Sequence, residues 1–236
     1  VTDARPVHDE TNTDLLAAAR AGSTSEVRTA LQGGADPNAR DDLGNTALHY
    51  ATRRDRPAMI SALLGAGADL DAQNGVGETP LLLAAMDQNG SHPATVKLLI
   101  EQRANLNLAD IDGYAALHAL VGMDDAVLLR RAIDLGADIE HSDHTGATPF
   151  LFAATYARAN CMQVLVHTGA TITARDSEER GAADLLVKWG TLMASTTAIG
   201  ATAKVLKWAH VDTDGQADRP PLSGRQAPCG GQQPPA

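Results

Sequence analysis

The chain has 236 residues and 24.6 kDa, with 29 acidic against 19 basic side chains, a formal charge of -10 and a pI near 5.1. That balance opposes an electrostatic footprint for duplex nucleic acid, and the two cysteines, Cys161 and Cys229, are too few and too poorly spaced for a disulfide framework or a zinc site. Aromatics make up only 3% while the hydrophobic share is 44%, which suits many small aliphatic interfaces better than a large core built around rings.

No apolar run approaches the ~18 residues of a membrane span, and Val1-Thr2-Asp3-Ala4-Arg5 has no charged-then-apolar leader pattern. A start at Val fits a trimmed chain, a valine-coded start or a processed end. The expected compartment is cytoplasmic, or periplasmic or secreted if Val1 is a processed terminus. Frequent Ala, Asp and Arg fit a GC-rich bacterial coding sequence.

In chain order, residues 1–10 read as an N-terminal extension. The first helical signals are Asp14 to Ala19 and Ser25 to Gln32. From there two series run in phase. Gly-Ala-Asp stands at 34, 67 and 136, with relatives at Arg103-Ala104-Asn105 and Gly169-Ala170-Thr171, giving steps of 33, 36, 33 and 33. The second series is Gly44-Asn45-Thr46-Ala47-Leu48-His49, Gly77-Glu78-Thr79-Pro80-Leu81-Leu82, Gly113-Tyr114-Ala115-Ala116-Leu117-His118 and Gly146-Ala147-Thr148-Pro149-Phe150-Leu151. Thr79 and Thr148 supply hydroxyl caps and Pro80 and Pro149 a preset φ, so a helix starts at each. Apolar stretches Leu81 to Ala85 and Phe150 to Ala154 follow. Second helices are expected over Pro93 to Gln102 and Ala126 to Leu135, and Gly34, Gly67, Gly136 and Gly169 end such helices in the left-handed conformation.

On these residues the chain resembles the ankyrin repeats, whose period is 33 and whose helix start reads Thr-Pro-Leu-His-x-Ala. The resemblance implies an all-α solenoid of about six helix pairs over 11–209: a cap at 11–40, repeats at 41–73, 74–109, 110–142 and 143–175, and a cap at 176–209. Each pair would be followed by a finger-like loop, with neighbours stabilising one another and polar caps at the ends. Three extra residues near Asn89-Gly90-Ser91-His92-Pro93 should bulge from the turn between two helices, and two more near Asp176 to Arg180 should lengthen the last finger. The last unit lacks Thr-Pro, and Trp189 and Trp208 are expected to cover the end of the core. Residues 210–236 hold five of the 11 prolines and read as a disordered tail, with Cys229 a free thiol there.

Motifs for chemistry are largely absent. Gly65-Ala66-Gly67 lacks the third glycine and the preceding strand of a dinucleotide fingerprint, and no P-loop, Gly-x-Ser-x-Gly or His-Glu-x-x-His occurs. The resemblance gives His49 and His118 a hydrogen-bonding role between neighbouring loops. His141, Asp143 and His144 crowd one finger and form the candidate metal or enzymatic group, set against the simpler reading of a polar turn. Cys161 reads as core, with His167 toward the other end of its helix. No cofactor is expected.

What remains is binding. The resemblance implies partner proteins held by the finger tips and the inner-helix surface of the concave side. Arg53, Arg54, Val76, Met86, Ile111, Tyr114, Met123 and Tyr156 fall on that surface, where large apolar side chains are not needed by the repeat's own core. The charges of the first and last fingers read as a solvated rim. The expected function is a noncatalytic module, monomeric when free, that binds another protein as adaptor, inhibitor or immunity-type neutraliser. The alternatives are metal or enzymatic use of the His141 finger, or a scaffold docking through its tail.

Overall fold

A computed structural model describes residues 7–86 and 92–186, with side chains from Glu10 onward. Asp87, the extra loop residues 89–91, Trp189, Trp208, Cys229 and the remainder of the 176–209 cap and the 210–236 tail lie outside the described residues.

Helices form where the sequence offers a capped start and an apolar face. They are α1 (Val7–Ala21), α2 (Thr24–Gln32), α3 (Ala47–Arg53), α4 (Pro57–Gly65), α5 (Pro80–Met86), α6 (Pro93–Glu101), α7 (Ala116–Gly122), α8 (Ala126–Asp134), α9 (Pro149–Thr155) and α10 (Ala159–Thr168). An eleventh begins at 182–186, and no strand occurs among the described residues. The hydroxyls of Thr79 and Thr148 accept the Leu82 and Leu151 N–H groups at 3.2 and 3.4 Å, and Pro80 and Pro149 occupy the first helical position. One boundary differs from expectation: α1 starts at Val7, inside the stretch read as an extension. Its first two turns are polar, so apolar periodicity gives no sign of them.

α1, α3, α5, α7 and α9 pack successively into an inner layer, and each is paired with the helix that follows it, so α2, α4, α6, α8 and α10 lie on the far side. One apolar cluster runs through the stack from Leu15 to Leu186, with Leu48, Leu82, Leu117 and Phe150 contributing one fully buried side chain per unit. A unit alone could not cover these residues, so the hydrophobic stabilisation is shared between neighbours.

The loops between units are held by a repeated device. Asp41, Asn74, Asp110, Asp143 and Asp176 each accept the backbone N–H groups two and four residues ahead through Oδ1, which closes the finger. The fingers are then joined by single backbone bonds: Gly75 N–H to Leu43 C=O, Ile111 to Val76, His144 to Asp112 and Ser177 to Thr145, at 2.8 to 3.0 Å. Charged residues read as a solvated rim take part in this. Asp41 and Asp176 are finger acceptors, Arg40 donates to the carbonyls of Gly44 and Gln73, and Arg180 grips the buried Asp176 at 2.8 Å.

His49 and His118 carry the link from loop to helix. His49 Nδ1 accepts the Thr46 N–H at 3.0 Å, leaving Nε2–H to donate to the Glu78 carbonyl of the next unit at 3.1 Å. His118 repeats the arrangement with Ala115 N–H and the Ala147 carbonyl. Burial pushes both imidazoles below their ordinary value, because a charged ring would lose its water and its Nδ1 acceptor. Unfolded histidines take up a proton near pH ~6.5 while the folded rings resist it. Stability from this source is therefore complete above that pH and is lost as pH falls toward the depressed folded values. The urea midpoint is expected to be lower at pH 5.5 than at pH 7.5, and a midpoint that does not move would contradict the assignment.

Candidate functional site

The ends of three inner helices enclose a groove of about 400 Å³ lined by Ala85, Met86, His118, Ala119, Gly122, Met123, Phe152, Tyr156 and Arg158. It owes its depth to what is small. In the 33-residue register Tyr50, Leu83, Ala119 and Phe152 share a row, and Ala119 leaves a gap between its larger neighbours. Gly122 leaves another: a methyl group placed on it would meet no atom within 4 Å.

The walls are aromatic and sulfur-bearing. Phe152 stands edge-on to His118 at 5.5 Å and lies 4.8 Å from Tyr156, whose ring forms the rim. Arg158 closes one end, with Nη2 donating to the Gly122 carbonyl at 3.2 Å and Nη1 3.4 Å from Asp124, while its Nε is enclosed without a partner. Flexible Met and amphipathic Tyr around a concave apolar floor are common features of surfaces that receive another molecule.

The eight sequence candidates separate into groups. Met86, Met123 and Tyr156 come together at the groove. Arg53 and Arg54 are exposed at the same end of the inner layer, one unit away. Val76 and Ile111 sit on finger tips beside the exposed Leu43, at the opposite end of inner helices that are about 10 Å long. Exposures of 43% for Val76, 40% for Met86, 59% for Ile111 and 44% for Tyr156 leave large apolar side chains open to solvent.

Two candidates depart from the expectation that the repeat does not need them. Tyr114 is half-buried, its ring 5.5 Å from Phe152 and 5.7 Å from His118, and burial raises its hydroxyl pKa above the ordinary value. It supports the groove from behind. Met123 is also half-buried and packs partly on the core. Phe152, Gly122 and Arg158 were not among the candidates, although aligning the units row by row would have placed all three on this face.

The His141 finger has a different use for its donor atoms. Asp143 is 6% exposed, and its Oδ1 accepts from the Thr145 N–H, the Thr145 hydroxyl and the Ala147 N–H. His141 Nε2 faces the Gly113 carbonyl at 3.1 Å. No group of three or more His, Cys, Asp or Glu side chains suited to a metal ion comes together among the described residues.

Cys161 is fully buried, and burial with the nearby Asp124 carboxylate pushes its thiol up to about 12. A thiol so rarely ionised is a poor nucleophile. Alkylation at pH 8 followed by peptide mapping should leave Cys161 unmodified in the folded protein and modify it in urea; fast labelling of the folded protein would show that the helix end opens.

Family models for ankyrin repeats match residues 59–140 and 81–176 in a three-copy form and residues 15–64 in a many-copy form. Among solved structures, the ankyrin repeat domain of Bcl-3, described as a unique member of the IkappaB protein family, is 26% identical with a TM-score of 0.63, covering 82% of this chain and 81% of that one. The ankyrin repeat protein EF0377 is 22% identical with a TM-score of 0.67, covering 83% and 97%, and supports the likeness of fold alone. No curated protein matches. No helix among the described residues is long and apolar enough to cross a membrane.

Proposed function

The chain belongs to the ankyrin-repeat family, whose repeats are protein–protein interaction modules, and from that premise we propose that it binds a partner protein through the inner-helix groove, without catalysis. The observation that supports this reading is the groove itself: Met86, Met123, Phe152 and Tyr156 surround a space that the side chains of the described residues leave open. Filling it would remove apolar surface from water at roughly 25 cal/mol per Å² before the costs of association. Val76 and Ile111 on the fingers, with Arg53 and Arg54 on the adjacent unit, form the proposed outer contacts. Occupying a partner's surface in this way suits an adaptor, an inhibitor or an immunity-type neutraliser.

The test is capture from native cell extract with wild-type protein beside Met86→Arg/Tyr156→Glu, read by mass spectrometry. Both side chains are exposed, so the helical circular dichroism should be unchanged. A protein retained by wild type and lost by the variant is the expected result. Equal recovery by both would place binding elsewhere, on the finger tips or in residues 210–236.

A further inference from the structure

The face that carries the groove is not uniform along its length. The turns after α1, α3, α7 and α9 are equivalent, because Ser23, Arg56, Asp125 and Arg158 donate their N–H groups to the carbonyls of Ala18, Ala51, Leu120 and Ala153. In that register Arg20, Arg53, Met86, Gly122 and Thr155 share one row, and Ala21, Arg54, Asp87, Met123 and Tyr156 fall in the next. Apart from Asp87, the basic side chains of the first two units thus give way to uncharged ones.

The basic end is concentrated. Arg54 and Arg56 converge over Gly22, where atoms of both side chains lie 3.5 and 3.4 Å from the position a methyl group would take. Arg20 is occupied in part, its guanidinium stacked 5.3 Å from the Tyr50 ring and donating to the Tyr50 hydroxyl. Arg53, Arg54 and Arg56 are exposed, and among the described residues no carboxylate pairs with any of them. The neighbouring Asp55 has its Oδ1 engaged by the Thr95 hydroxyl, and Asp124 is held by Arg158. Three guanidinium groups with no carboxylate partner among the described residues are a local concentration of positive charge on a chain of charge -10.

Resting on the concave-face reading above, we propose that the partner presents a two-part polypeptide segment: acidic side chains over Arg53, Arg54 and Arg56, then a bulky apolar side chain in the groove of Met86, Met123 and Tyr156. Arginine pairs carboxylates through a planar fork and stacks readily, so it suits acidic peptide recognition. Inner helices 8–10 Å apart put the two subsites roughly 10–20 Å from each other. An extended segment covers that distance with about three to six residues and a helix with about seven to thirteen. The charge pairing would govern association rate and choice of partner, and the apolar anchor would set residence time.

The probe is a phage library of random peptides of roughly 16 residues, long enough to span both subsites in either conformation. Selection on the full chain should enrich peptides with a cluster of Asp or Glu beside a Leu, Phe or Trp. Their binding should weaken at least about tenfold in Arg53→Glu/Arg54→Glu/Arg56→Glu and on raising salt, since exposed charges are screened beyond ~10 Å at 0.1 M. Peptides that lose binding in Met86→Arg but carry no acidic cluster and ignore the arginine changes would overturn the two-part segment and leave the groove reading standing. Peptides indifferent to Met86→Arg would overturn both. Failure to enrich any peptide, or arginine-dependent binding of a single-stranded oligonucleotide that displaces the peptides, would also overturn the proposal.

Discussion

Gly113→Val is expected to lower stability by roughly 3 kcal/mol or more in urea unfolding, the largest effect of any single change in the fingers. Gly113 has φ +84°, and a methyl group there would lie 2.8 Å from the His144 nitrogen and 2.9 Å from the Asp143 Cα, which are backbone atoms. A side chain must therefore adopt a left-handed conformation and also push the next finger away. That movement strains the bond from His144 N–H to the Asp112 carbonyl, one of the four links between fingers. Gly136 is the useful comparison, since its φ is +95° but nothing lies within 4 Å of an added methyl group. Gly136→Val should cost only the backbone term, about 1–2 kcal/mol. Equal losses at the two sites would mean that finger contact contributes little to the stack.

Asp143→Ala should cost about 3 kcal/mol, because three donors lose one buried acceptor and two of them are backbone N–H groups with no replacement. Asp143→Asn should recover most of that, and the chain itself contains the precedent: Asn74 closes its own finger with the same bonds from the Val76 and Glu78 N–H groups at 3.0 Å. Thermal or urea unfolding of the two variants distinguishes them. If Asn were as damaging as Ala, the negative charge rather than the acceptor geometry would be what the finger requires, and the role of Asp143 as a loop-closing acceptor would fail.

The helix pairs were legible because their signals are local. Thr79-Pro80 and Thr148-Pro149 state a cap and a first turn within two residues, and Gly44, Gly77, Gly113 and Gly146 keep one phase. The start of α1 was not legible, since its first turns lack an apolar face. At the site, Met86 and Tyr156 could be picked out as large apolar residues at surface positions of the repeat. The packing of Tyr114 was not legible: its ring turns to meet Phe152, a contact across 38 positions that no local pattern encodes. The groove was hidden because it consists of missing volume: Ala119 attracts no notice until it is aligned with Leu83 and Phe152, nor Gly122 until it is aligned with Met86 and Thr155. Asp143 looked like part of a ligand set in one dimension, and in three its Oδ1 already accepts from three donors of its own finger.

Gly122→Leu gives the most direct test of the claim that this groove receives a protein. The added side chain points into open space and replaces the least favourable residue in the last turn of α7, so melting temperature should hold or rise by the equivalent of about 0.5–1 kcal/mol. The measurement is calorimetric titration of the captured partner into wild type and Gly122→Leu. A fall in affinity of at least about tenfold with the fold intact is the result expected if the partner's side chain and the new leucine compete for one space. Unchanged affinity in a folded Gly122→Leu protein would show that the groove is not where the partner sits.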